Sequence, residues 1–251
     1  GYHAVHFATV PTIESNDTYQ SGDALMARLF YSFKDTYMLT ASIRRDGYSA
    51  FGKQNPHAIF PSVALGWVFT HEKFMKGAQD WLNYGKLRLS WGQNGNREIG
   101  QYAALSAMTS NLAPYIDSNG KLYTTTWMNV STMANHALKW ERTASLNLGL
   151  DFALFGDVLS GSAEYYNSNT FDLLVDRALP NVTGYDTVKA NLGQVHNHGF
   201  ELTLNANVIN KGDWHWSLSG LLSMNRRKIV HLYGDMEDIL TDSFIARHGQ
   251  P

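Results

Sequence analysis

Residues 199–225 read GFELTLNANVINKGDWHWSLSGLLSMN, and this stretch decides the fold. Apolar and polar residues alternate over residues 200–208, and the alternation resumes over residues 214–224 after the polar segment 210–213. Side chains of a β-strand point to opposite faces with a period of two. Each half of the stretch is therefore expected to form a strand with one apolar and one polar face, and together the two halves predict a long β-hairpin.

Two classes of protein use such a hairpin. Each predicted strand is about 11 residues long, which is enough to cross a bilayer when the strand is tilted. Trp214 and Trp216 follow the short polar turn directly, as aromatic residues do at the periplasmic rim of an outer-membrane β-barrel. A long hairpin of a soluble β-sandwich fits this one stretch equally well, so the remainder of the chain has to distinguish the two.

The composition excludes several classes. The chain has 251 residues, a formal net charge of −2 and no cysteine. This length fits one large all-β domain, the balanced charge does not favour a nucleic-acid surface, and the lack of cysteine excludes disulfides and thiolate sites. No run reaches the roughly 18 apolar residues of a membrane helix. A mean hydropathy of −0.28 still fits a barrel wall, because the wall carries its apolar residues at alternate positions.

Further segments repeat the alternation, so eight strands are predicted in all. In the other six strands, alternate apolar residues lie within positions 25–33, 37–43, 63–69, 87–91, 146–152 and 159–165. Short links are expected at 34–35, 71–80, 155–157 and 210–213, with a short helical turn within 71–81, and long links at 46–57, 93–139, 167–190 and beyond 225. Short periplasmic turns opposite long extracellular loops are typical of outer-membrane barrels.

Aromatic residues support the same choice, because they lie beside the short links. They are Phe33, Tyr37, Phe69, Trp81, Tyr84, Phe152, Trp214 and Trp216. A barrel places such residues at the membrane interface, whereas a soluble sandwich has no reason to gather them at one end. The connection 93–139 is also longer than is usual in a compact domain, and loops of that length are usually functional.

Six motifs then resemble one family, the SusC/RagA-like TonB-dependent outer-membrane transporters. They are YMLTASIRRDGYSAFG at 37–52, with Tyr48 in place of the family's serine, FPS at 60–62 with GW at 66–67, KLRLSWGQNGN at 86–96, LKWERTASLNLGLDF at 138–152, TFDLL at 170–174, and NLGQVHNHGFEL at 191–202. Each motif is weak by itself, but their order and spacing together are specific, and they run nearly the length of the chain.

The resemblance implies an antiparallel transmembrane β-barrel of 22 strands that encloses a plug domain, with about eight strands supplied by this chain. It implies TonB-dependent import of oligosaccharides or peptides, a SusD-like surface lipoprotein as partner, and location in the outer membrane of a Bacteroidetes-like Gram-negative bacterium. We expect residues 1–251 to belong to the barrel domain and the plug and TonB-contacting segment to lie outside them. The start at Gly1, without initiator Met or leader, predicts an internal piece.

The candidate binding residues come from the polar strand faces and the long loops. Charges on the lipid face of a barrel are costly near the midplane, so charged strand residues are expected to point into the lumen. This lumen set comprises Arg44, Lys86, Arg88, Asn147, Glu201, Asn205 and Asn207, with Asp151 added. The predicted substrate-contacting residues are Arg44, Arg88, Asn94, Arg97, Tyr102, Tyr115, Tyr123 and Trp127. Contacts with a plug and with water, or packing within a loop, are the structural alternatives.

Three other constellations do not predict a site. His196 and His198 share a strand face, as metal ligands can, but no third ligand stands at a recognisable spacing, and the same holds for His3 and His6. Aspartates 46, 117, 151 and 172, with His136 as a base, have no spacing that brings them within hydrogen-bond reach. Residues 92–96 (GQNGN) lack the Lys-Ser/Thr of a phosphate-binding loop, and a bulged strand end is expected there. We expect no catalytic residue, metal or cofactor.

Two alternatives to a transporter remain. A self-contained eight-stranded barrel, acting as a surface enzyme or adhesin, would have an interior filled by bulky side chains. The predicted inner face instead carries small residues, namely Ser62, Ala64, Gly66, Ser90, Gly92, Ser145 and Gly149, which favours a wide lumen. Eight strands of a larger barrel would leave two open edges in lipid if they stood alone. A soluble glycan-binding β-sandwich is the other alternative, and it predicts a protein that dissolves without detergent.

Overall fold

The computed structural model describes residues 19–99, 102–231, 238–240 and 245–247. The strands are β1 (Gly22–Phe33), β2 (Tyr37–Tyr48), β3 (His57–Trp67), β4 (Leu82–Asn96), β5 (Ala107–Ile116), β6 (Leu122–Met133), β7 (Glu141–Leu154), β8 (Leu159–Phe171), β9 (Leu174–Ala178), β10 (Thr187–Asn191), β11 (Gln194–Lys211), β12 (Trp214–His231), β13 (Asp238–Leu240) and β14 (Ile245–Arg247). Short 3-10 helices span Phe69–His71, Lys73–Ala78 and Asn181–Thr183. Within these described ranges, no helix is long and apolar enough to cross a membrane.

The eight predicted strands form one antiparallel sheet. Its order is β1-β2-β3-β4-β7-β8-β11-β12, so neighbours in the sheet follow one another along the chain except where a loop contains strands of its own. Those loop strands form a second sheet with the order β5-β6-β10-β9, and β13 pairs with β14. An eight-stranded open sheet of this kind is consistent with a section of a larger barrel.

The pairing register confirms the predicted faces. One row of directly opposed residues crosses the sheet from β2 to β12 as Leu39, Leu65, Leu89, Leu148, Tyr165, Phe200 and Met224. The adjacent row on the other face is Met38, Gly66, Arg88, Gly149, Glu164, Glu201 and Ser223. The first face is a continuous apolar surface, with Leu25 70% and Leu29 59% exposed. So large an exposed apolar surface requires a covering, which lipid supplies in a membrane.

The apolar band crosses the strands at a slant. On β2 it runs from Tyr37, two residues on the turn side of Leu39, to Ile43, four residues beyond it. On β12 it runs from Trp214, ten residues on the turn side of Met224, and ends at Met224 itself. The centre of the band is therefore displaced by roughly six residues, or about 20 Å, between β2 and β12. These two strands are six interstrand spacings of about 4.8 Å apart. A horizontal membrane band therefore requires a strand tilt of roughly 35°, which is typical of outer-membrane barrels.

The short turns gather at one edge of the sheet, as predicted, but several boundaries differ. The link after β1 has three residues, and Lys34 and Asp35 both have positive φ, at 53° and 50°. The predicted third strand stops at Trp67, so Phe69 belongs to a 3-10 helix, where its ring lies against the α-carbon of Gly85. β11 and β12 have 18 residues each, because both extend well past the apolar band on the long-loop side.

Aromatic residues at the turn edge share one carboxylate. The hydroxyl of Tyr37 donates to the carboxylate of Glu72, and Trp67 Nε1 donates to Glu72 Oε1 at 3.3 Å. The Trp67 ring also lies 5.9 Å from Phe69 and 6.4 Å from Phe74, centroid to centroid. The helical turn predicted within 71–81 is confirmed, although it begins at Phe69. It holds a cluster of rings at the height expected for a membrane interface.

The opposite edge of the sheet carries a small hydrophobic core. Its buried residues are Ala50, Phe51, Phe60, Ile99, Ala103, Ala104, Leu138 and Trp140. Phe51 stacks on Trp140 at 4.5 Å, and Phe60 meets the same indole edge-on at 5.8 Å. Because these residues come from the links after β2, β4 and β6 and from the adjoining end of β3, the core fastens the loops to the rim of the sheet. The long links predicted at 93–139 and 167–190 contain strands of their own, namely β5, β6, β9 and most of β10.

Candidate functional site

An ion cluster occupies the polar face near the centre of the sheet. Arg88 on β4 donates through Nε to Asp151 Oδ2 at 2.7 Å and through Nη2 to Asp151 Oδ1 at 2.8 Å. The same Nη2 lies 2.6 Å from Glu164 Oε1 on β8. Glu201 stands directly opposite Glu164 on β11. One guanidinium thus links three strands, and the cluster leaves an excess of carboxylate on the lumen face.

The cluster depends on a small residue between its members. Gly149 lies opposite Arg88 in the register, on the strand that also carries Asp151. A Cβ at position 149 would lie 2.9 Å from Cζ of Arg88. The guanidinium can therefore lie flat over β7 and reach β8 only because residue 149 has no side chain. The small residues predicted for the inner face thus have a local function here besides leaving room in the lumen.

The other predicted strand residues lie nearer the long-loop edge. Arg44 donates through Nε to Asp46 Oδ1 at 2.6 Å, and about half of its side chain is exposed. Asn94 is exposed on the polar face of β4, opposite Thr143. Arg44 is six residues further along β2 than Met38, whose row contains Arg88. The two arginines are therefore about 20 Å apart along the strand direction.

Residues at the base of the link after β4 form a second group. The guanidinium of Arg97 lies over the ring of Tyr48 at 5.5 Å. The hydroxyl of Tyr102 accepts a hydrogen bond from the backbone N–H of Tyr19 at 2.6 Å. Tyr102 has a positive φ of 58°, a conformation typical of a turn. This geometry shows packing roles for both residues, and their contact with a substrate stays a prediction.

The β5–β6 hairpin carries the remaining predicted aromatics. Tyr115 and Tyr123 are opposed in register, and their rings stack at 5.5 Å with an interplanar angle of 21°. The ammonium of Lys121 lies 5.2 Å from the centre of the Tyr123 ring. The backbone of Trp127 pairs with Asn111 on the same hairpin, but its side chain lies outside the described part of the chain. The eight predicted residues consequently fall into three groups, not one pocket.

One asparagine joins the loops that carry these groups. Asn191 at the end of β10 donates through Nδ2 to the carbonyls of Lys139 and Asp172, at 2.8 and 2.9 Å. Its Oδ1 accepts from the N–H of Lys139 at 2.7 Å. Asn135 adds a donation to the Lys189 carbonyl at 2.8 Å. The links after β4 and β8 are thereby fastened to each other.

Asn191→Ala should loosen this junction without unfolding the sheet. Three hydrogen bonds are lost, and two carbonyls lose a donor, so local opening should become easier by about 1–3 kcal/mol. Hydrogen exchange in the intact protein should then speed up over residues 134–140 and 187–191 while β7 and β8 keep their protection. Asn119→Ala, on the exposed β5–β6 turn, is the matched control and should change neither region. Unchanged exchange in Asn191→Ala would contradict the proposed junction.

The aspartates considered above as catalytic candidates make separate contacts in the structure. Arg142 pairs with Asp172 at 3.0 Å, Arg44 with Asp46, and Asp117 caps its own turn by accepting from the N–H of Lys121. Residues 92–96 are the regular end of β4, paired with β7 through Asn96 and Glu141, so the expected bulge is not formed. Among the described residues, no group of three or more His, Asp or Glu is placed to hold a metal ion. His3 and His6 lie outside those residues.

Glu164 is the member of the site that the sequence reasoning missed. It pairs with Arg88, yet only the apolar positions of β8 were used to assign its faces. The sequence alone could have placed Glu164 on the polar face, because it lies between Ala163 and Tyr165 and must point away from the face that those residues share. The stacked tyrosines, in contrast, could be proposed from composition but not located.

Comparison with known proteins decides the family. The model of the family described as TonB dependent receptor-like, beta-barrel matches residues 5–242. The chain belongs to this family. The family is one of outer-membrane transporters and receptors and is not a family of enzymes.

Several relatives of this barrel are known. TonB-dependent receptor P3 of Formosa agariphila is 36% identical over 90% of the chain, and SusC of Bacteroides thetaiotaomicron is 36% identical over 82%. The chain spans about a fifth of each relative, 22% and 20% respectively. The RagAB peptide transporter structure matches with a TM-score of 0.80 at 27% identity, over 92% of this chain and 25% of that one. The chain is thus homologous to SusC and RagA, as its motifs predicted.

Proposed function

We propose that this chain is a section of the barrel wall of a TonB-dependent importer in the outer membrane of a Bacteroidetes-like bacterium. The importer carries oligosaccharides or peptides and works with a SusD-like lipoprotein and the TonB complex. The complete barrel has 22 strands around a plug, and both the plug and the TonB-contacting segment lie outside residues 1–251. The cargo, the partners and this domain assignment are all part of the proposal.

The observation that carries the proposal is the two-faced sheet. A continuous apolar face fits lipid, and the opposite face combines small residues with charges such as Arg88 and Glu164. Small inner residues favour a lumen wide enough to hold a plug and pass a cargo, whereas a closed eight-stranded barrel fills its interior with side chains. A soluble sandwich buries apolar residues between two sheets, but this eight-stranded sheet has its large apolar face exposed.

The import function is tested in the host organism. Deletion of the full-length gene should abolish energy-dependent uptake of one class of cargo, measured with a panel of labelled oligosaccharides and peptides. Complementation should restore uptake, and a protonophore should abolish it, because TonB action depends on the proton gradient. Unchanged uptake of every member of both panels would contradict the proposal. Loss of only one class would also establish whether the cargo is a glycan or a peptide.

The stacked tyrosines of the β5–β6 hairpin are proposed to contact that cargo. A sugar ring or an apolar peptide side chain can stack on the outer face of the pair, an interaction worth about 0.5–1.5 kcal/mol per ring. Changing Tyr115 and Tyr123 together to Ala should raise the KM of uptake about three- to tenfold with little change in kcat. Changing both to Phe keeps the rings and should preserve KM. Equal KM values for all three proteins would exclude the contact.

The other face of this hairpin is proposed to dock the SusD-like lipoprotein. It presents five apolar residues that are each 61–68% exposed, namely Met108, Leu112, Ile116, Leu122 and Met128. They share one face, because the register opposes Ile116 to Leu122 and places Leu112 and Met128 at even spacings from them. An exposed apolar patch on an extracellular loop marks a protein contact.

Charging this apolar hairpin face should separate the partners. The variant Leu112→Asp/Ile116→Asp places two carboxylates in the proposed interface, so the amount of lipoprotein that co-purifies with the full-length transporter should fall at least about tenfold. Thr125→Asp adds a charge to the exposed opposite face and serves as the control, with co-purification unchanged. Equal recovery with both variants would place the lipoprotein elsewhere.

A further inference from the structure

On β8, β11 and β12, the outward face changes from apolar to polar and basic residues just beyond the apolar band, on the side of the long loops. The last apolar residues of the band there are Tyr165, Phe200 and Met224, which lie in one register row. The next row outward along the strands contains Asn167, His198 and Arg226, and the one after it contains Asn169, His196 and Lys228. The pairing of β8 with β11 is regular through these rows. These side chains therefore share the face that meets lipid lower down, and do not share the lumen face.

The patch formed by Asn167, His196, His198, Arg226 and Lys228, here named the basic rim patch, is ordered by its own contacts. His196 and His198 stack at 5.0 Å, and His196 Nε2 lies 3.0 Å from Asn167 Oδ1. Within the described part of the chain, the buried Nδ1 of His198 has no hydrogen-bond partner. Arg226 and Lys228 are exposed, and no ion pair joins either to a described residue.

The carboxylates of these strands lie on one face only. The carboxylates Glu164 and Glu201 lie on the lumen face, where Arg88 and Ser223 contact them. On the outward face, the positions above the band on β8, β11 and β12 are occupied by Asn, His, Gln, Arg, Lys, Phe and Val, and none is Asp or Glu. The patch is therefore cationic, and it lies at the height where a bilayer changes from acyl chains to head groups.

We propose that the basic rim patch binds the phosphate groups of a phosphorylated lipid in the outer leaflet. Arg226 and Lys228 supply the positive charge, while Asn167 and the two histidines add hydrogen-bonding groups beside them. A cargo in the lumen or a plug domain cannot reach this face, because the wall itself lies between. A lipid whose acyl chains cover Phe200 and Met224 places its head group at the patch. The inference requires only that the outward face meets lipid, and it does not depend on what the barrel imports.

The test uses the full-length transporter in nanodiscs of phosphatidylcholine containing diphosphoryl lipid A. Native mass spectrometry after gentle detergent release measures the lipid A that stays bound. Arg226→Gln/Lys228→Gln should reduce this amount about fivefold or more, since each basic residue near an anionic head group adds to the attraction. Arg227→Gln is the matched control, because Arg227 lies between the two on the same strand but pairs with Asn197 on the lumen face. The control should retain lipid A at the wild-type level.

A second arm uses the unaltered protein and so does not depend on the folding of a variant. Enzymatically dephosphorylated lipid A should be retained at least about fivefold less than diphosphoryl lipid A. Equal retention of the two lipids would show that only the acyl chains are recognised and would overturn the proposal. Equal losses in the double variant and in Arg227→Gln would overturn it as well. Neither outcome would bear on import, which the uptake assay measures separately.

Discussion

Leu148→Arg should lower the free energy of unfolding of the intact barrel in lipid by about 2–4 kcal/mol. Leu148 lies in the middle of β7, with Leu89 and Tyr165 as its direct neighbours on the apolar face. At least two further apolar residues follow it toward each end of the strand on the same face, so the new guanidinium would lie near the midplane of the bilayer. A charge there has to reach the interface along its own side chain or draw water into the acyl region.

Asn147→Arg is the matched control, one residue away and on the other face. Asn147 donates to Ser90 Oγ at 3.3 Å across the polar side of the sheet. An arginine at this position points into the aqueous lumen, and the cost should stay within about 0.5 kcal/mol, as for most surface substitutions. Urea titrations of folding into lipid vesicles give both values. A similar cost for the two variants would contradict the assignment of the faces.

Arg88→Ala should destabilise the intact barrel by about 2–3 kcal/mol. The variant loses a bidentate interaction with Asp151 and a charged hydrogen bond to Glu164, and a hydrogen bond to a charged group contributes about 1.5–3 kcal/mol to stability. The side chains are partly exposed, between 28% and 41%, so the effect is smaller than for a fully buried pair. The unpaired carboxylates then repel one another and Glu201 across β7, β8 and β11.

Two companion variants isolate the ion pairs from simple loss of charge. Lys86→Ala removes a cation from the same face of the same strand, and Lys86 has no ion pair with any described residue, so its effect should be below about 0.5 kcal/mol. Adding Asp151→Asn and Glu164→Gln to Arg88→Ala removes the repulsion and should recover a measurable part of the loss. If Lys86→Ala costs as much as Arg88→Ala, the cluster does not stabilise the wall.

The wall of the barrel was predictable from the sequence because its rule is local. Each strand in lipid must alternate apolar and polar residues, since one side meets acyl chains and the other side meets water. Leu146, Leu148 and Leu150 satisfy this rule within one segment, so neither the register nor the neighbouring strand is needed to assign the face. The lengths of the links also indicate which end of each strand lies at the periplasmic rim, because the short turns lie at one edge of the sheet and the long loops at the other.

The extracellular sheet was not predictable in the same way. Residues 107–133 contain many Ser, Thr and Asn and no regular alternation, because neither face of the β5–β6 hairpin is covered by lipid. β10 joins β6 through the parallel pairing of Thr187 with Thr132, and the two are 55 positions apart in the chain. Side-chain bonds from Asn191 then fasten the loops. Contacts of such separation leave no periodic signal in either segment.

The candidate site was predicted residue by residue and not as an arrangement. Arg88 was predicted on the polar face, where the register places it, but its distances to Asp151 and Glu164 depend on the register of three strands and on the absence of a side chain at Gly149. The histidines at 196 and 198 were considered only as metal ligands. Their position above the lipid band becomes visible only when β8, β11 and β12 are aligned by their pairing.

The most direct test of the lipid-facing wall is a scan of single spin labels over residues 145–152 of the full-length protein in its membrane. Accessibility to dissolved oxygen should be high at 146, 148, 150 and 152, and accessibility to a water-soluble nickel complex should be high at 145, 147, 149 and 151. This alternation with a period of two is the result expected for a strand with lipid on one side and an aqueous lumen on the other. High accessibility to the nickel complex at every position, or no alternation with either reagent, would contradict it.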